Sequence, residues 1–167
     1  SCKINNIINI HVNKKTLDIN NPPEEKIKFI LKLFNSSKLI EAKKEVKTQL
    51  IIYTKSPVLF NILGAIFFKQ NKLQEALLNY DNSIKINPGY AQAHNNLGVC
   101  LHRLGKIDEA IQVYQKAIDI QPNHADAYNN LGAAYKEQGE REKSITYFQK
   151  AIDIQPKHAD AYNNLGA

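Results

Sequence analysis

Residues 115–133 read QKAIDIQPNHADAYNNLGA and residues 149–167 read QKAIDIQPKHADAYNNLGA. The two stretches differ only at Asn123 and Lys157 and stand 34 residues apart. A fixed period of this length constrains the fold more than any other feature. Each unit is one small element that buries its apolar face only by stacking on its neighbours. The same offset recurs upstream in four columns: Gly64, Gly98, Gly132 and Gly166; Leu63, Leu97, Leu131 and Leu165; Ala76, Ala110 and Ser144; Pro88, Pro122 and Pro156. One period further back stands Ala42, in a weaker unit.

Each unit resolves into two helices. Ala91, His94, Leu97, Gly98 and Leu101 follow the 3.6-residue period, and the period restarts with Ile107, Ala110, Ile111, Tyr114, Ala117 and Ile118. Gly105 stands where a helix end takes a left-handed residue, in one column with Asn71 and Gly139. Pro122 closes the second helix and restricts Gln121 before it. The small columns predict close backbone approach, with Gly98 and Ala110 on facing sides of one hairpin. The aromatic residues Phe60, Tyr128 and Tyr162 on first helices, and Tyr80, Tyr114 and Phe148 on second helices, fall at the buried phase and are expected to fill the core.

The expected fold is all-α: a superhelical solenoid of antiparallel helix-turn-helix hairpins. Its expected parts are an N-terminal tail over 1–22, a divergent hairpin over 23–56, full hairpins over 57–90, 91–124 and 125–158, and a truncated first helix over 159–167.

The residues of 125–156 carry a resemblance. Tyr128, Leu131, Gly132, Tyr135, Ser144, Phe148, Ala151 and Pro156 give an aromatic, Leu-Gly, aromatic, small, aromatic, Ala, Pro series within 34 residues. This resembles the tetratricopeptide repeat family. The resemblance covers 57–167 closely. It weakens over 23–56, where Lys26, Phe29, Ile30, Gln49 and Thr54 replace the expected types, and it does not reach 1–22. It implies a protein-binding or scaffolding module without catalytic activity. The Asn-Asn-Leu-Gly runs are most similar to the arrays that precede catalytic domains in O-linked N-acetylglucosamine transferases and many bacterial transferases. The alternative reading is therefore the substrate-recruiting part of a transferase with its active site beyond residue 167. Self-association is a third reading.

Composition excludes other classes. The net charge is +6, carried by residues 1–56, where 11 lysines face 5 acidic residues; over 57–167 eleven of each balance. The basic third holds no Arg, and its densest spot, Lys43-Lys44, is flanked by Glu41 and Glu45, which reads as a solvated surface and not a nucleic-acid site. No run approaches the ~18 apolar residues of a membrane span. The first twenty residues lack the apolar stretch of a signal peptide. Cys2 and Cys100 are too few for a disulfide framework, so a reducing, cytoplasmic setting is expected. Asn35-Ser36-Ser37 matches a glycosylation acceptor, in a turn that these residue types favour anyway. No phosphate loop, nucleophile–base pair or metal-ligand spacing occurs, so no catalytic residue, cofactor or metal is expected. His124 and His158 occupy equivalent inter-repeat positions and read as turn residues.

The candidate binding site is a polar stripe on the first helices. It holds Asn61, then Gln92, Asn95, Asn96, His102 and Arg103, then Asp126, Asn129, Asn130 and Lys136, then Asn163 and Asn164. Val99, Ala133 and Glu137 share it. Stacked hairpins curve and line their concave side with first helices. Amides donate and accept hydrogen bonds, so a row of them suits the backbone of an extended peptide, whatever its sequence. The resemblance adds an asparagine ladder of this kind, matched here by Asn96, Asn130 and Asn164 and broken by Ile62. The family's clamp for a C-terminal carboxylate is not matched, because its basic positions hold Asn61, Asn95 and Asp126. The last helix, only nine residues long, is expected to fray alone, and the parent protein to continue beyond it.

Overall fold

The computed structural model describes residues 20–166. Among these residues the structure is all-α, a solenoid of helical hairpins without strands. The described residues divide into two compact units, residues 20–88 and residues 89–166. Most of the expected tail, and Cys2 with it, lies outside the described residues.

The first unit contains α1 (Glu24–Asn35), α2 (Leu39–Ile52), α3 (Pro57–Lys69) and α4 (Leu73–Ile86), each packed on the next. The second contains α5 (Ala91–Arg103), α6 (Ile107–Ile120), α7 (Ala125–Glu137), α8 (Arg141–Ile154) and α9 (Ala159–Leu165), again packed in sequence. In the second unit α7 also touches both α5 and α9, so its three first helices lie side by side.

The turn within each hairpin is the same device four times. Ser37, Asn71, Gly105 and Gly139 have φ of 60°, 59°, 75° and 79°. Each is followed by a residue whose N–H reaches five positions back: Lys38 to Leu33, Lys72 to Phe67, Lys106 to Leu101 and Glu140 to Tyr135, at 2.9–3.0 Å. These bonds satisfy carbonyls that the helix end orphans. Ser37 belongs to the column that the sequence showed at Asn71, Gly105 and Gly139.

The glycines fall into two groups with different reasons. A side chain on Gly105 or Gly139 would meet nothing within 4 Å, so these glycines answer to backbone conformation. A Cβ on Gly64, Gly98 or Gly132 would stand 2.5–2.7 Å from the ring of Tyr80, Tyr114 or Phe148. The notch that the small residues leave in the first helix receives the aromatic ring sixteen residues later, a contact the sequence reading did not name. The small column also closes on the notch: the Ser144 carbonyl lies 3.1 Å from the position of a Cβ on Gly132.

The three notch-filling aromatics are about 1% exposed. The first-helix aromatics depart from expectation. Phe60 and Tyr128 are half-buried, and Tyr162 is 51% exposed. They face no notch. Tyr128 instead stacks on Tyr147 at 6.2 Å, with the Lys150 ammonium 5.8 Å from its ring. In the divergent hairpin the notch position holds Ile30 and the aromatic position holds Val46, both fully buried. Bulk has moved from the second helix to the first, which conserves volume across the pair.

Candidate functional site

Adjacent first helices pair their asparagines. Asn130 Nδ2 donates to Asn95 Oδ1 at 3.0 Å, joining α7 to α5. Asn164 Nδ2 donates to Asn129 Oδ1 at 3.0 Å, joining α9 to α7. The two bonds span 35 residues each and are the same bond one repeat apart. Within α5, Gln92 Nε2 donates to Asn96 Oδ1 at 3.0 Å.

Burial divides the stripe into a floor and a rim. Gln92, Asn95, Asn96 and Asn129 are buried, at 8% exposure or less, and form the floor. Asn130 and Asn164 are half-buried, and Arg103, Lys136 and Asn163 are exposed. Lys136 Nζ donates to the Asn164 carbonyl at 3.4 Å. The structure brings Gln92, Asn95, Asn96, His102, Arg103, Asp126, Asn129, Asn130, Lys136, Asn163 and Asn164 into one unit. Asn61 lies in the other unit, fully buried on α3.

An amide has four hydrogen-bonding positions, and each inter-helix bond uses one on each partner. The paired amides therefore hold the first helices in register and still carry capacity for another backbone. Removing Asn130 would strip the buried Asn95 of a partner.

Histidines contribute what the sequence reading treated as turn chemistry. His158 precedes α9 and is 6% exposed. Its Nδ1 accepts from the Ala161 N–H at 3.2 Å, so Nε2 carries the proton and donates to Asp126 Oδ1 at 3.0 Å. Asp126 raises the His158 pKa above the ordinary 6.5, against burial. The cap pulls the same way as burial, because Nδ1 can accept only while unprotonated. His124, the equivalent residue before α7, is held below 6.5 by burial, with Asp126 opposing. At the far end of α7, His102 Nε2 donates to Glu137 Oε2 at 2.6 Å, across to α5. The clue in the sequence was a carboxylate two residues after His124 and His158, in the run His-Ala-Asp.

Cys100 is fully buried, and desolvation pushes its thiol up to about 11 despite the nearby Arg103 charge. Among the described residues, no group of three His, Cys, Asp or Glu side chains stands close enough to hold a metal ion. No helix among them is long and apolar enough to cross a membrane.

A tetratricopeptide repeat family model matches residues 89–157, and a second, described as a TPR repeat, matches residues 64–105. No curated protein matches the chain in sequence. The crystal structure of MamA is 30% identical with a TM-score of 0.69, over 81% of this chain and 80% of that one. The pilF protein of Pseudomonas aeruginosa is 19% identical with a TM-score of 0.79, over 85% of this chain and 65% of that one. The first TPR domain of Spaghetti, bound to an HSP90 peptide, is 23% identical with a TM-score of 0.64, over 66% of this chain and 87% of that one. The last two likenesses concern the fold.

Proposed function

We propose that this chain, which belongs to the tetratricopeptide repeat family, is a non-catalytic module that holds an extended segment of another protein against the first-helix stripe of α5, α7 and α9. The observation that carries the reading is the repeated asparagine bond, Asn130 to Asn95 and Asn164 to Asn129. It aligns amides at the spacing of the repeat, with Asn130, Asn163 and Asn164 toward the rim. Amides so placed can pair with successive peptide groups of an extended chain, which gives affinity with little demand on sequence.

The bound HSP90 peptide on a structure of this fold supports the reading only as an example of what the fold can hold. The positions that would clamp a terminal carboxylate hold Asn61, Asn95 and Asp126 here, so a different peptide chemistry is expected. The likeness to transferase arrays rests on the Asn-Asn-Leu-Gly runs alone, and no structural observation favours it or self-association over partner binding.

The test is a pair of variants. Asn96→Ala with Asn130→Ala removes a floor and a rim amide and should weaken binding of an identified partner peptide, by about 0.5–1.5 kcal/mol for each lost hydrogen bond. Asn95→Ala breaks the same inter-helix bond from behind, without touching the rim. It should lower the melting temperature while changing affinity less. Equal loss of affinity in both would reduce the stripe to a structural seam.

A further inference from the structure

The stripe on α7 contains two carboxylates, Asp126 and Glu137, eleven residues apart and therefore about 16 Å along the helix. Each is held by a histidine outside α7: Asp126 by His158 at the start of α9, and Glu137 by His102 on α5. The arrangement is confined to α7. On α5 the position of Asp126 is taken by Gln92, which bonds Asn96, and the position of Glu137 by Arg103. The amides Asn129 and Asn130 lie between the two pairs.

With both imidazoles neutral, Asp126, Glu137 and Asp160 outweigh the two exposed cations of the stripe, Arg103 and Lys136, by one negative charge. Protonating both imidazoles adds two positive charges along the same strip. The other charged groups near His158 are Asp160 on α9 and His124 before α7. The charged residues next in sequence to the His102–Glu137 pair are Arg103 and Lys136, the latter donating to the Asn164 carbonyl.

We propose that the groove is proton-gated: protonation of His102 and His158 turns the stripe from net negative to net positive, and tightens its hold on an acidic segment of a partner protein. The proposal rests on the reading that the stripe binds an extended peptide. A carboxylate-bearing peptide that binds the protonated groove takes up protons as it binds. By linkage the same peptide raises the proton affinity of the groove.

The experiment uses the whole chain and two probes, an acetylated nonapeptide alternating Ala with Glu and its Lys counterpart, with affinities read by fluorescence anisotropy at pH 5.5, 6.5 and 8.0. The Glu peptide should bind about tenfold more tightly at pH 5.5 than at 8.0, within the usual range of coupling between sites, and the Lys peptide should show the opposite trend. His102→Gln with His158→Asn keeps a neutral donor toward each carboxylate, and Asn is a good helix cap. In this variant the pH effect should fall below about twofold. His102→Gln alone changes only the more exposed end and should remove part of the effect, so the test does not depend on the double variant folding. Unchanged pH dependence in these variants overturns the gate. So does pH-independent binding by the parent that remains sensitive to Asn96→Ala with Asn130→Ala, an outcome that leaves the groove standing. Failure of both peptides to bind at every pH overturns the groove reading and the gate together.

Discussion

Ser37 and Asn71 do with ordinary side chains what Gly105 and Gly139 do without one. A left-handed φ strains a residue with a Cβ, so Ser37→Gly should stabilise the first unit, by up to about 1 kcal/mol, measured by urea unfolding. A loss of stability would mean that the Ser37 side chain contributes more than its backbone costs. The histidines give a second residue-scale prediction. The His158 pKa lies above 6.5, so its pairing with Asp126 contributes fully below about pH 6.5 and is lost as pH rises through the folded value. The His124 pKa lies below 6.5, so its contribution is present above pH 6.5 and is lost as pH falls toward its folded value. In an NMR titration the His158 midpoint should stand above that of His124, and Asp126→Asn should lower it. Equal or inverted midpoints contradict the geometry around Asp126. These roles were only partly legible in sequence. His-Ala-Asp recurs in plain view, but which imidazole reaches which carboxylate depends on how one repeat stacks on the next.

At the scale of the element, the hairpin is a notch and a ring. Gly98→Ile should force the Tyr114 ring aside and cost about 1–3 kcal/mol or more, as overpacking does. Adding Tyr114→Val reproduces the Ile30 and Val46 arrangement of the first hairpin and should recover part of that loss in a double-mutant cycle. Additive losses would show that the first hairpin solves its packing in another way. The helices and turns were readable because period, glycine and proline act locally. The ring that fills the notch was not, because an offset of sixteen residues between Gly98 and Tyr114 is invisible to helical periodicity. For the same reason Tyr128 and Tyr162 looked buried by phase alone. Their exposure is set by the neighbouring elements, and Tyr128 makes its contact with Tyr147 on the next helix.

At the scale of the molecule, the period determines which helices share a face, and this much of the candidate site was legible. Gln92, Asn95, Asn96, Asn129 and Asn130 do gather along adjacent first helices. The pairing among them was not legible, because a donor and acceptor 35 residues apart meet only once the repeat's rise and rotation are known. The paired floor holds the helices together, and the proposed function puts the partner on its rim. The central claim is that the partner lies on first helices. Amide chemical-shift mapping with a bound partner peptide tests it most directly. The account predicts perturbations at Asn130, Ala133, Lys136 and Asn163, with Gln115, Lys116 and Asp119 on α6 unmoved. Perturbations centred on α6 and α8, with the rim of α7 and α9 unmoved, would contradict it.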